Sequence, residues 1–277
     1  MNIRMKPFHP LAARVIATGL ALAFAITFSK AADETPATMS ASELAGRLSA
    51  LRQDGSSYVR ARMEIKGAAK QTLQIQVKER RTRGATEIVY QVLWPKERKG
   101  ESVLLKKAGN RPATGAHFTP PNTTRPIDSG QINEPLFGSS LSYEDVVENF
   151  FAWDQQAIVG SEDVNGVTCQ ILESKPGKGE RSSYARVRTW ADPKRLVPHR
   201  IEKYSASGQL VRRIDTTRVV VDDRRRPIPA NLTVRGPRED SITDIDGSRI
   251  KHGVAFADRE FTPEGIGELT TSASAAE

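Results

Sequence analysis

The stretch Asn165–Arg213 leaves this chain few folds to choose from. Val167–Ser174 reads as a strand, and the tight-turn pair Asn165-Gly166 precedes it. Lys175–Arg181, carrying Pro176, Gly177 and Gly179, is a connection. Tyr184–Trp190 then alternates, with Tyr184, Arg186, Arg188 and Trp190 on one face and Ala185, Val187 and Thr189 on the other. Asp192-Pro193 opens a turn, because proline presets φ and the aspartate can accept from nearby backbone amides. Leu196–Tyr204 and Leu210–Val221, parted by Ser205-Ala206-Ser207-Gly208, complete four strands. Short strands joined by turn residues predict an antiparallel meander. A long meander has edges that must be curled away, closed or covered.

The same rhythm runs through the rest of the chain. In Ser57–Lys66, Val59, Ala61, Met63 and Ile65 share one face and Tyr58, Arg60, Arg62, Glu64 and Lys66 the other. Gln71–Val77 places Leu73, Ile75 and Val77 together, and Lys78–Arg83 reads as a charged turn. Thr86–Trp94, with Ile88, Val89, Tyr90, Val92 and Leu93, is rich in β-formers, and Pro95 stops it. Glu101–Lys107, Gln156–Gly160, Ile228–Val234 and Ser241–Val254 are further strands. Gly109–Pro135 is expected to be a loop with at most one brief strand near His117-Phe118, since Pro112, Pro120, Pro121 and Pro126 oppose regular pairing. Two helices are expected. Ser40-Ala41-Ser42-Glu43 fits a capping box ahead of Leu44, Leu48 and Leu51, which fall on one helical face ending near Gly55. Ser142, with Asp145 three residues on, can cap a second helix whose apolar side is Val146, Val147, Phe150 and Phe151. The pattern predicts a mainly β protein, a strongly curved antiparallel sheet of about eleven strands with helices packed in its concave side. The first helix either covers that sheet or covers the mouth of a cavity in it.

At the N-terminus, Arg4, Lys6 and Arg14 precede the apolar run Val15–Phe28, and Ser29-Lys30-Ala31 has small residues at the positions a signal peptidase reads. This predicts a signal peptide over residues 1–31, cleaved after Ala31, and hence a periplasmic protein; an uncleaved membrane anchor is the alternative. A linker over 32–39, a folded domain over 40–262 and a flexible tail over 263–277 would follow. The full chain of 277 residues has a net charge of +8, but losing residues 1–31 removes four basic residues and no acidic one, which leaves +4. Export, that modest charge and the lack of exposed aromatics among the basic residues argue against nucleic acid. Cys169 is the one cysteine, so no internal disulfide is expected and the fold must rest on buried apolar area. With no cysteine near the cleavage site, the chain is not expected to be a lipoprotein itself.

Catalytic constellations are missing from the pattern. His117, His199 and His252 are far apart in sequence and none has a neighbour at metal-ligand spacing. Gly138-Ser139-Ser140-Leu141 lacks the second glycine of a nucleophile elbow, and no phosphate-cradling glycine loop is present. Glu144 and Asp145 suit the start of a helix through its dipole. No enzyme, cofactor or metal is therefore expected. Three basic clusters, Arg80-Arg81-Thr82-Arg83, Lys96-Glu97-Arg98-Lys99 and Arg224-Arg225-Arg226, fall in expected turns. They read as solvated hairpin tips or as contacts for anionic headgroups or an acidic partner.

Trp94-Pro95 with Arg98-Lys99-Gly100, the run Phe137-Gly138-Ser139-Ser140-Leu141-Ser142-Tyr143-Glu144-Asp145, Asn165-Gly166 with Cys169, and Tyr184 to Trp190-Ala191-Asp192 through Pro198, Tyr204 and Gly208 together resemble the outer membrane lipoprotein-sorting family, relatives of the LolA and LolB carriers. The resemblance spans roughly Ser40 to Thr262. It implies an unclosed β-barrel curled round a hydrophobic cavity with helices as its lid. It further implies a periplasmic carrier that binds the acyl chains of lipids or lipoproteins for transfer towards the outer membrane, with a transporter of the resistance-nodulation-division type as partner. Arg111–Phe118 departs from the aromatic-rich pattern of that family. A monomer with transient membrane-surface contact is expected. The candidate cavity lining is Val59, Met63, Ile65, Leu73, Ile75, Tyr90 and Val92, which plain core packing would account for equally. The alternative to a carrier is an accessory module that docks on an envelope transporter and carries nothing.

Overall fold

The computed structural model describes residues 38–268 apart from 68, 69 and 239, and the expected signal peptide and its cleavage site lie outside them. Strands β1 (Gly55–Lys66), β2 (Gln71–Arg81), β3 (Ala85–Trp94), β4 (Ser102–Ala108), β5 (Thr114–Thr119) and β6 (Thr123–Ile127) form one meander. Strands β7 (Gln155–Val164), β8 (Val167–Lys175), β9 (Arg186–Asp192), β10 (Val197–Tyr204), β11 (Leu210–Val221), β12 (Pro227–Arg235) and β13 (Ile242–His252) form a second. The two join where β1 pairs antiparallel with β13, Val59 opposite Ile250 and Met63 opposite Ile245. The result is one thirteen-stranded sheet whose free edges are β6 and β7. The sheet is therefore unclosed.

Thirteen strands replace the expected eleven chiefly because Gly109–Pro135 contains a hairpin, β5–β6, rather than a loop. Pro126 sits within β6, opposite Ala116. It is tolerated there because an edge strand has a neighbour on one side only, so a missing N–H costs no ladder bond. The charged residues Lys78 to Arg81, expected in a turn, extend β2 instead.

Two helices lie on the concave side. Helix α1 (Ala41–Arg52) begins as its sequence predicts, with the Ser40 hydroxyl accepting from the Glu43 amide at 3.2 Å; the Glu43 carboxylate turns outward to Arg47 at 2.7 Å rather than closing the box. Its buried Leu44, Ala45 and Leu48 pack on Phe150, Phe151, Trp153, Leu172 and Val187. Helix α2 (Tyr143–Val147) has a complete capping box, Ser142 Oγ accepting from the Asp145 amide at 3.2 Å and Asp145 Oδ2 from the Ser142 amide at 2.7 Å. All five of its residues are buried. The longer amphipathic helix expected to reach Phe151 breaks at Glu148, and Phe150–Ala152 forms a separate 3₁₀ turn.

The convex face is covered as well. Val89, Leu104 and Ala116, the outward partners in the alternation of β3 to β5, pack under Phe261 and Ile266. Lys78 pairs with Glu260 at 2.5 Å, and Gln91 Nε2 donates to the Ile266 carbonyl at 3.2 Å. Residues 263–268, expected to belong to a flexible tail, are thus docked on the sheet, with Ile266 buried.

Candidate functional site

Beneath α1 the concave side is hollow. A cavity of about 410 Å³ lies between the last turns of α1 and strands β10, β12 and β13. Its apolar wall includes Leu48 and Leu51 from the helix, Phe151, and Leu196, Ile201, Ile228 and Ile250 from or beside the strands. Leu51 is 38% exposed because its outer side faces the void. At one end the lining turns polar. The inward face of β2, which runs Leu73, Ile75, Val77, continues as Glu79 and Arg81, and Ser57 sits opposite Glu79 in register on β1. Arg52, the last residue of α1, completes this end.

Arg81 is buried; it pairs with Glu79 at 3.2 Å and donates to the Val146 carbonyl at 3.2 Å, which ties β2 to α2. Ser57 Oγ donates to Glu79 at 3.4 Å. Burial alone would raise the Glu79 carboxyl, but Arg81, with Arg52 behind it, holds it below the ordinary range. Burial and then the nearby Arg81 charge lower Arg52 to about 10, so it stays a cation at neutral pH. Burial, and after it the Glu79 charge, push the Tyr90 hydroxyl up. The rim carries Asp54, Arg226 and His252. Asp54 accepts from both Arg224 and Arg226 at 2.5 Å.

The seven residues expected to line a cavity come together under α2, where the concave wall is filled. Met63, Ile65, Leu73, Ile75 and Val92 are buried in one cluster, with Val59 and Tyr90 partly buried against it. Leu136, Phe137, Leu141, Tyr143, Val146 and Val147 fill the space above them. None of the seven lines the hollow under α1. Ile65 instead reaches a polar cleft of about 580 Å³ at the far end, among Arg98, Glu101, His117 and Arg125. Burial there would raise the Glu101 carboxyl, but His117 Nε2 at 3.1 Å and Arg98 at 2.7 Å outweigh it and bring its pKa down to about 2. The residues that do line the hollow carried a partial signal. Leu51 belongs to the apolar face of α1, and Glu79 and Arg81 follow from carrying the β2 alternation past Val77.

The motif residues turn out to be pins between the cover and the sheet. The Asp145 carboxylate, with no exposed surface, is met by Lys203 at 2.7 Å, Arg212 at 2.9 Å and the Tyr184 hydroxyl at 2.7 Å. Burial would raise its pKa; Lys203 and Arg212 outweigh that and hold it at about 2. Lys203 also lies 4.9 Å from the Tyr184 ring centre. Glu144 accepts from Ser182 Oγ at 2.6 Å, the Ser183 amide at 3.1 Å and the Ser183 hydroxyl. Arg98 donates to the Phe137 carbonyl at 3.3 Å.

The basic clusters are largely neutralised. Arg80 pairs with Glu87 and Asp258, both at 2.6 Å, and lies 4.2 Å from the centre of the Phe261 ring. Asp222, Asp223 and His252, distant in sequence, meet where the β11–β12 turn reaches the end of β13. Their polar atoms are engaged already: Asp222 accepts from the Arg224 and Arg226 amides, and His252 contacts Asp223 and Arg226. His199 and His117 stand on β10 and β5, and neither lines the hollow.

A family model described as "Uncharacterized protein" matches residues 84–267. None of the curated proteins is a match in sequence. Among solved structures, a DUF1329 family protein from Desulfovibrio piger superposes with a TM-score of 0.73 at 23% identity, over 80% of this chain and 95% of that one. A domain from Vibrio parahaemolyticus that carries the name of an outer membrane lipoprotein-sorting protein gives 0.73 at 18% identity, over 82% and 98%. A LolA superfamily protein from Nitrosomonas europaea gives 0.64 at 18% identity, over 81% and 98%. At these identities the likeness is one of fold: the open sheet with helices on its concave side is the LolA-like architecture.

Proposed function

We propose, for a chain that belongs to the family matched across residues 84–267 and folds as LolA superfamily proteins do, that it is a non-enzymatic carrier of acyl chains. The observation that carries the reading is the apolar hollow beneath α1. At ~30 Å³ for a water-sized group, its 410 Å³ accommodates about a dozen methylenes. Each methylene taken out of water contributes about 0.8 kcal/mol, so a chain of that length gains on the order of 10 kcal/mol before the cost of ordering it.

Release requires the cover to yield, and α1 is built for that. Its N-terminal end is tied to β8 by Met39 and Gln170, whose backbone and side chain bond reciprocally at 2.9 and 3.0 Å. Its last turn meets the hollow through Leu51 and Arg52. The seven residues under α2 form a second stretch of the same concave wall, open to a chain only when Leu136–Val147 lifts. The name of the Vibrio parahaemolyticus neighbour favours lipid or lipoprotein cargo moving towards the outer membrane. In this reading the protein works in the periplasm after cleavage at Ala31, as a monomer that touches membrane surfaces transiently. It receives or delivers cargo at a resistance-nodulation-division transporter and has no dealings with nucleic acid.

Native mass spectrometry of the protein purified from its own periplasm tests this. A co-purifying lipid or acylated peptide, lost when the hollow is filled by Ile228→Trp, is the expected result. An empty protein in stable complex with a transporter would favour the docking module instead.

A further inference from the structure

Arg52 is not explained by a purely apolar cargo. Its guanidinium makes no hydrogen bond and no ion pair with any of the described residues; its one close partner is the Phe150 ring, 5.8 Å from the guanidinium carbon to the ring centre. Every other arginine that reaches the cavity is matched: Arg81 by Glu79 and the Val146 carbonyl, Arg226 by Asp54 and Asp222. At the polar end of the hollow, two cations, Arg52 and Arg81, therefore share the Glu79 carboxylate, and Glu148, the other carboxylate that acts on Arg52, is taken by Lys107 at 2.8 Å. Arg52 is part-buried in the wall of the hollow, and the protein around it lowers its pKa to about 10, so its charge meets less water there than on an open surface. A position in the last turn of α1 suits a cation through the helix dipole, but that would be served equally by a side chain left in solvent.

We infer that the hollow takes a single-chain amphiphile with an anionic head, a carboxylate or a phosphate monoester, whose oxygens pair with Arg52 while the chain lies against Leu51, Ile201 and Ile228. The inference rests on the acyl-chain reading of the same cavity. A guanidinium presents a planar fork of N–H donors that matches either oxyanion in a bidentate pair. The volume sets the chain number: room for about a dozen methylenes, at ~30 Å³ each, is room for one chain rather than two or three.

The test is displacement of a bound apolar dye from the delipidated mature chain by decanoate, decyl phosphate, decanol and decyltrimethylammonium. Both anions are expected to displace the dye at concentrations at least about tenfold below decanol, with the cation weakest. Whichever anion is stronger names the head as fatty-acid-like or lipid-phosphate-like. Arg52→Gln should erase the anionic advantage and leave decanol unchanged, Arg52→Lys should keep part of it, and the unfolding midpoint, followed separately, should fall only slightly, by the support Arg52 draws from Glu79, the Phe150 ring and the helix dipole. Decanol equal to the anions, or Arg52→Gln with the advantage intact, overturns the head-group assignment and leaves the carrier reading standing. Failure of the dye and of all four amphiphiles to bind sinks the carrier reading itself.

Discussion

Helices α1 and α2 cover the same curved sheet and leave opposite things beneath them. Under α2 the wall is solid: Met63, Leu73, Ile75, Ile88, Val92 and, on β4, Leu105 are buried against Phe137, Tyr143 and Val147. Under the end of α1 there is a hollow. The fastenings differ in the same way. Helix α2 has no exposed residue and is held by charge, through Asp145 to Lys203 and Arg212 and through Glu144 to Ser182 and Ser183. Helix α1 buries three of its twelve residues and is held by apolar contact, with polar ties at Met39 and at Ser49, which accepts from Asn149 at 3.0 Å. Ion pairs closed off from water are directional and fail abruptly when one partner is lost. Apolar contacts are non-directional and can be exchanged for a ligand of similar character. Helix α2 is thus fixed by directional pairs, and α1 by contacts that a ligand of similar character can replace.

The largest effect expected from breaking this contrast is at Asp145. Replacing it by Ala leaves Lys203 and Arg212 facing each other without the carboxylate, which should cost about 3–5 kcal/mol in urea unfolding. A variant within about 1 kcal/mol of the parent would mean that α2 is held by packing alone. The same pair sets a pH dependence. Because the folded state holds Asp145 at about 2, below its unfolded value, its contribution is present in full above the unfolded pKa. It is lost as the pH falls towards 2, so unfolding between about pH 4 and 2 should steepen in the parent relative to Asp145→Asn.

Next comes the solid wall itself. Leu73 is 1% exposed, and Leu73→Ala should cost about 2–5 kcal/mol through lost burial and the cavity left behind. A cost below about 1 kcal/mol would show that the wall under α2 gives way as readily as the hollow does.

How much of this contrast was legible follows from what each part depends on. The sheet is written in period-two alternation, and Val59 to Ile65, Leu73 to Val77 and Ile88 to Val92 do share the concave face. The edge hairpin β5–β6 was obscured by Pro126, whose cost depends on whether a neighbouring strand exists, a fact about topology rather than about the local residues. Filled wall and hollow use the same residue types. What separates them is where α2 docks, and that is decided by Asp145 meeting Lys203 and Arg212 from distant strands. No local pattern announces such a meeting. The capping box of α2, by contrast, was local and was readable in Ser142 and Asp145.

That box makes the third prediction. Ser142→Ala removes the acceptor for the Asp145 amide and should cost about 1 kcal/mol, several times less than Asp145→Ala, since the ion pairs remain. Equal costs for the two variants would assign the strength of the fastening to the cap instead of the charges.

The smallest effect on stability, and the sharpest on function, belongs to Leu51. It lies on the same apolar face of α1 as Leu48 but is 38% exposed, with its free side turned to the hollow. Leu51→Ala removes little that the fold uses, and alanine favours the helix at least as well, so the unfolding free energy should hold within about 0.5 kcal/mol. A bound chain, however, loses its contact with the isobutyl group of the cover. Apolar-dye binding should weaken several-fold while Leu73→Ala, corrected for its lost stability, leaves it unchanged. The reverse ranking, with dye binding sensitive to Leu73 and indifferent to Leu51, would move the site from the hollow under α1 to the wall under α2 and exchange the roles of the two helices.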